Sequence, residues 1–165
     1  LNPRAKSRVG ATGLWQFMFN TAKDLDLKVN SYVDERMDPI KSSEAAAKYL
    51  SELYARFNDW NLAIAAYNYG PGNIRRAIKA SGYSNFWNLR GYLPKETANY
   101  VPSFIATLYL FEFAHKHEIK MKSKEMKLAL TDSIPIKQMV SFSQIADKIG
   151  VPLDTLNFLN PSFTN

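Results

Sequence analysis

No cysteine occurs among the 165 residues. Disulfides, thiol nucleophiles and thiolate metal sites are therefore excluded, and the redox compartment stays open. Histidine is nearly as scarce. His115 and His117 are the only two, and a spacing of two does not put a pair of imidazoles on one helix face, so they read as solvated and no metal is expected. No apolar run approaches the eighteen or so residues a membrane-spanning helix needs. The stretch LNPRAKSRVGATGLWQFM, residues 1–18, holds no carboxylate and no initiator Met. It reads as the continuation of something longer. A segment ahead of Leu1 is expected, and any export signal with it.

What is present is ample for a core. Apolar residues make up 46% and aromatics 13%, enough for one sizeable domain and a small second one. The net charge is +6. Much of the excess sits in HKHEIKMKSKEMK, residues 115–127, which reads as a solvated helix end or linker. It lacks the interleaved aromatics of a nucleic-acid reader, so no nucleic-acid partner is expected.

Most of residues 1–120 reads as helix. Asp38 is a good N-cap and Pro39 suits a first helical position. Ala45, Ala46, Tyr49, Leu50, Leu53 and Phe57 then recur at three- and four-residue steps and mark one apolar face. This helix should stop near Asn58-Asp59. A second should run from Trp60 to Tyr69 and break at Gly70-Pro71-Gly72, followed by a short one from Asn73 to Ala80, closed by Ser81-Gly82. Pro94 should open the longest helix, with Glu96 complementing its N-terminus. Tyr100, Phe104, Leu108 and Phe111 should form a buried stripe along it. Pro102 predicts a kink or a late start.

Residues 121–131 read as a connector. Beyond it, IPIKQMV (134–140) is a short β-rich run. SFSQIADKIG predicts a helix capped by Ser141 or Ser143 and stopped by Gly150, and a last helix should begin near Leu153 and end before Pro161. The expected fold class is mainly α: a compact helical domain over 1–120, then a small β-α-α appendage over 132–165.

Two stretches carry side chains suited to a sugar. In AAYNYGPGNI (65–74), Tyr67 and Asn68 stand beside the turn at Gly70, and an Asn amide both donates and accepts. A half-buried Tyr and a capping Asn would explain the same pattern. In Gly10-Ala11-Thr12-Gly13-Leu14-Trp15-Gln16, two glycines permit close backbone approach, Trp15 could stack on a ring or fill a core, and Gln16 adds an amide.

Taken together, these motifs resemble the SLT family of lytic transglycosylases, bacterial enzymes with a lysozyme-like, goose-type helical fold. The nearest pattern is the membrane-bound lytic murein transglycosylase D group. NPRAKSRVGATGLWQFM is similar to the family's segment after its glutamate, with the Gly-Leu-x-Gln signature at Gly13 to Gln16. TAKDLDL and DERMDPIKSSEAAAKYL follow in order. Ala66, Tyr67 and Asn68 match the Ala-Tyr-Asn signature, and LPKETANYV supplies the late Tyr at Tyr100. FSQIADKIGVPLDTLNFLNP resembles the two-helix part of a peptidoglycan-binding LysM unit, without its usual Gly-Asp-Thr opening.

The resemblance implies peptidoglycan glycan strands as partner, no cofactor, a periplasmic location, and membrane association only through an anchor outside this chain. It implies a cleft lined by Ser7, Gln16, Tyr67, Asn68 and Tyr100, with Ser7 and Gln16 contacting the N-acetyl sugar. It also implies one catalytic Glu, in a Glu-Ser pair just ahead of the Asn-Pro matched by Asn2-Pro3. That position precedes Leu1, so no catalytic residue is expected within these 165 residues, and they are expected to be inactive alone. Among carboxylates that could substitute, Asp34, Glu35 and Asp38 should lie in a solvated loop and a cap. Glu96 is best explained by its helix start.

Overall fold

The computed structural model describes residues 2–119 and 131–164. The expected connector 121–131 lies outside the described residues except for Thr131, as does the basic run beyond Ile119. The chain divides into two units, Leu1–Tyr49 with Leu130–Asn165, and Leu50–Ala129.

In the first unit, a looped N-terminal segment leads into α1 (Phe19–Asp24), a 3-10 turn at Glu35–Met37 and the opening half of α2 (Pro39–Phe57). Asp38 caps α2 as expected: its Oδ1 accepts from the amides of Ile40 and Lys41 at 2.9 and 3.0 Å, satisfying two donors that the first helical turn leaves free. Phe17, Ala22, Leu25, Leu27, Met37, Ala45 and Ala46 form the buried apolar set here. α7 (Phe142–Ile149) and α8 (Leu153–Leu159) belong to the same unit. Ser141, rather than Ser143, is the N-cap of α7 and forms a reciprocal capping box with Gln144. Gly150 closes the helix in the left-handed region.

One expected element does not form. Residues 134–140 make no strand. The run has strand-like residues but no partner ladder among the described residues, and a strand unpaired on both edges leaves its backbone groups to water. Ile134, Ile136 and Met139 are accordingly exposed. The appendage is therefore helical.

The second unit holds the end of α2, then α3 (Trp60–Tyr69), α4 (Pro71–Ser81), α5 (Phe86–Leu89), a 3-10 turn at Arg90–Tyr92, α6 (Lys95–Glu112) and a 3-10 turn at Ala114–His117. Leu53, Leu62, Ala63, Ala65, Ala66, Ile74, Phe86, Leu89 and Val101 are fully or almost fully buried. Gly70, at φ +85°, ends α3 by itself. The next helix starts at once with Pro71 in its first turn and so takes in Gly72, where a later start was expected.

α6 departs from expectation in three ways. It has 18 residues, one fewer than α2, so it is not the longest helix. It starts at Lys95 with no delay at Pro102, which lies inside it. Proline lacks the N–H that would bond the carbonyl of Ala98; Arg90 replaces that donor, its Nε giving a 2.8 Å hydrogen bond to Ala98 O. Third, the aromatic stripe is not buried. Tyr100, Phe104, Leu108 and Phe111 are 39%, 41%, 53% and 66% exposed. The helix packs on α3 and buries only Thr97 and Val101 near its start; apolar spacing defines a face without supplying a neighbour for all of it.

Candidate functional site

In the first unit, Ser7, Gly10, Gly13 and Gln16 share one loop. Antiparallel bonds close it: Ser7 N–H to Ala11 O at 2.8 Å, and Thr12 paired both ways with Phe17 at 3.1 Å. Gly10 and Gly13 have φ of +89° and +85°, a region costly for any side chain. The close approach Gly13 permits is to the chain itself. A Cβ there would sit 1.8 Å from the carbonyl oxygen of Arg36. Trp15 also turns to the protein, its indole N–H donating to Ser43 Oγ at 2.8 Å.

Gln16 is exposed and held at φ +52°, a strained value for a non-glycine residue. Its Nε2 donates to Gly13 O at 2.7 Å and Ala5 O at 3.4 Å. The amide nitrogen thus fixes the side chain, while Oε1 is left as an oriented acceptor for an N–H or O–H. Ser7 Oγ accepts from Ala11 N–H at 2.9 Å, which leaves its hydroxyl proton to donate.

The support beneath this loop was not foreseen. Arg36 is buried and uses four of its five N–H groups. Nε and Nη2 bind the Asp34 carboxylate at 2.9 and 2.7 Å, and Nη1 donates to Gly10 O and Phe17 O at 3.1 Å each. Asp34, expected to be solvated, is 5% exposed. In DERMD an acid and a base two apart read as surface charge, and nothing local signals their burial.

The acid next to it is a poor proton donor. Burial pushes the Glu35 carboxyl up, but hydrogen bonds from Lys41 Nζ (2.5 Å) and the Lys28 amide (2.7 Å), with both lysine charges, outweigh this and hold it below its ordinary value of 4.5. Glu35 is ionised at neutral pH and unsuited to be a general acid. Because the folded pKa is depressed, its contribution to stability is complete above about pH 4.5 and is lost as pH falls through the folded value. Lys41→Met should move the Glu35 titration, followed by carboxyl NMR shifts, upward and shrink this acid-sensitive contribution. An unmoved titration would show that Lys41 does not set it.

In the second unit, Tyr67, Asn68, Gly70 and Tyr100 are built on α3 and α6. Asn68 joins the two helices: its Oδ1 accepts from Thr97 Oγ1 at 2.8 Å and its Nδ2 donates to Glu96 Oε1 at 3.3 Å. The break at Gly70 is held instead by Asn73, which donates to Tyr69 O at 2.5 Å. Tyr67 is half-buried and Tyr100 more open. Burial, then the Glu96 charge, raises the Tyr100 phenol above its ordinary value, so it stays a neutral donor and acceptor well past neutral pH. Glu96 is exposed in the first turn of α6 and serves as the partner of Asn68. Among the described residues no cluster of acids and histidines could hold a metal ion, and no helix is long and apolar enough to cross a membrane.

Comparison with known proteins bears on these features. Residues 1–90 match the family model "Transglycosylase SLT domain", and residues 130–165 match "Lytic transglycosylase MltD, LysM-like domain". The chain is 32% identical over 164 residues to membrane-bound lytic murein transglycosylase D of Escherichia coli, covering 96% of this chain and 36% of that protein. It is 33% identical over 133 residues to the soluble lytic murein transglycosylase of Salmonella typhimurium, covering 75% of this chain and 20% of that one. Over 74 residues it is 42% identical to peptidoglycan transglycosylase gp16 of Escherichia phage T7, covering 44% and 6%. The chain thus spans about a third or less of the length of these relatives. With the SLT model matching more than half of its residues, and a helical fold in keeping with it, the chain belongs to the transglycosylase SLT family.

Proposed function

We propose that these residues are the glycan-binding wall of a peptidoglycan lytic transglycosylase, which cleaves the β-1,4 bond between N-acetylmuramic acid and N-acetylglucosamine without adding water. The observation that carries this reading is the Gly13–Gln16 loop, with a fixed Gln16 acceptor, inside a family match that spans residues 1–90. Ser7 donates to, and Gln16 Oε1 accepts from, the N-acetyl group. Tyr67 and Tyr100 orient the sugar or the acid. Asn68 holds the start of α6 in place for them. Gly10, Gly13 and Gly70 shape the backbone.

The chemistry uses one acid. A neutral carboxyl protonates the leaving glycosidic oxygen, then takes the proton of the muramic C6 hydroxyl as that oxygen bonds to C1. A 1,6-anhydro ring closes where a hydrolase would add water. The family pattern puts this Glu ahead of Asn2. Residues 1–120 form the catalytic domain in this reading, 121–131 the connector and 132–165 the LysM-like module. The protein works in the periplasmic envelope on glycan strands, held to a membrane only by an anchor outside this chain.

Digestion of purified sacculi, read by mass spectrometry, tests the proposal. A protein carrying these residues behind the Glu-Ser segment should release anhydromuramic ends, one water lighter than hydrolysis products. The 165 residues alone should release none. Hydrated reducing ends would make the protein a goose-type hydrolase, and no cleavage by the extended protein would leave a glycan-binding module. Gln16→Gly keeps the left-handed backbone and deletes the amide. It should lower kcat/KM roughly tenfold, the value of about one well-placed hydrogen bond.

A further inference from the structure

We infer that the C-terminal segment 160–164 positions the Gly10–Phe17 loop, acting through the backbone of Asp34 and the guanidinium of Arg36. The tail is then a working part of the loop's support. The mechanical link stands on geometry alone; only its bearing on glycan binding rests on the function proposed above.

Residues 28–35 form a tight ply. Glu35 N–H bonds Lys28 O at 2.9 Å and Asn30 N–H bonds Val33 O at 2.8 Å. Asn30 Oδ1 accepts from the amides of Tyr32 and Val33, both at 2.9 Å. One edge of this ply would be open, and the tail fills it. Val33 and Phe163 form an antiparallel bridge. Asp34 N–H donates to Ser162 O at 2.8 Å, Thr164 N–H to Tyr32 O at 3.1 Å, and Thr164 Oγ1 to Ser31 O at 2.7 Å. Ser162 is buried in the process. Phe163 meets Phe142 edge-on, with ring centroids 5.6 Å apart, so the segment is tied to α7 as well. Arg4 Nη2 adds a second clasp, donating to Asn157 O at 3.1 Å.

Asp34 is the joint. Its amide holds the tail, and its carboxylate holds Arg36. Arg36 in turn grips the loop at both ends, Gly10 O and Phe17 O, and its own carbonyl is what Gly13 packs against. A shift of the 32–34 backbone would move the Asp34 carboxylate, then the guanidinium, then both ends of the loop that carries Gln16. Buried hydrogen-bonded charges make such a relay stiff, since each partner is costly to leave unpaired. Asp34, Arg36 and Thr164 are positioning residues in this scheme, and none of them needs to touch the sugar.

Amide hydrogen exchange on the whole protein, with binding of chitotetraose, tests the inference. Thr164→Pro removes both Thr164 donors. It should speed exchange at Asp34 and at Thr12, Gly13 and Phe17 about tenfold and weaken chitotetraose by a similar factor, the value of one to two such bonds, while Ile145 in α7 stays protected. Thr164→Ala keeps the amide and should give a smaller change in the same direction, which decides the matter if the proline variant unfolds. Asp34→Asn should loosen the loop amides and leave Thr164 protected. Combined with Thr164→Pro, it should add little, since both act on one path. Loop amides unmoved by either Thr164 variant, or fully additive effects, would overturn the inference. If the wild-type protein ignores chitotetraose while Thr164→Pro still loosens the loop, the strut stands and the glycan reading falls.

Discussion

Replacing Gly13 with alanine is expected to lower the melting temperature by about 10 °C, against about 3–5 °C for the same change at Gly10. The two glycines have nearly the same backbone, φ +85° and +89°, so both substitutions carry the left-handed penalty of about 1–2 kcal/mol. They differ in surroundings. A Cβ on Gly10 meets nothing within 4 Å, whereas one on Gly13 lies 1.8 Å from Arg36 O and 2.7 Å from Arg36 C. These are backbone atoms, so no rotamer change relieves the clash. Either the loop or the 3-10 turn at Glu35–Met37 must move, adding roughly 1–3 kcal/mol of overpacking cost. A domain of this size loses about 2–4 °C per kcal/mol. Thermal unfolding followed by circular dichroism reads the difference. Equal melting points for the two variants would mean that the Arg36 contact is not what selects glycine at position 13.

Gly13 also marks the limit of what the sequence makes legible. A glycine before Leu-x-Gln signals that something comes close, but not what. Local chemistry was readable at several caps and breaks, though not at the start of α4, which begins at Pro71 rather than Asn73. Asp38-Pro39 announces α2, the Gly70 turn ends α3, and a serine at 141 or 143 marks the start of α7, because caps and breaks act within four residues. Features that depend on closure in three dimensions were not readable. The stripe from Tyr100 to Phe111 has helical spacing, and spacing is blind to whether a neighbour covers it. The residues of 134–140 favour a strand, but a strand exists only with a partner. The tail's real pairing, Phe163 with Val33, joins segments with no common pattern. At the candidate site, the loop containing Ser7 and Gln16 could be named from its motif. That Asn68 is occupied by Thr97 and Glu96, and that Gln16 is pinned through its nitrogen, required coordinates.

Arg36 is where the second large effect is expected. Arg36→Met should cost about 3–5 kcal/mol in urea unfolding, because it strands the Asp34 carboxylate in a buried site. Most of that loss reflects the abandoned charge rather than the worth of the pair. The double variant Arg36→Met, Asp34→Leu should therefore recover half of it or more. Recovery is possible because the two carbonyls that Arg36 serves each keep another donor. Phe17 O also accepts from the Thr12 amide at 3.1 Å, and Gly10 O from Thr12 Oγ1 at 3.2 Å. Arg36→Lys should fall between, since an ammonium keeps the charge but offers three donors where four bonds are made. Salt supplies an independent check. The exposed pair Lys48–Asp26, at 3.6 Å, should contribute little, and less still near 1 M salt, where screening acts within about 3 Å. The Arg36→Met deficit should persist there, because both partners of the Arg36–Asp34 pair are below 10% side-chain exposure. A deficit under about 1 kcal/mol, or one that vanishes in salt, would place the pair among ordinary surface contacts. It would also remove the support on which both the Gly10–Phe17 loop and its link to the tail depend.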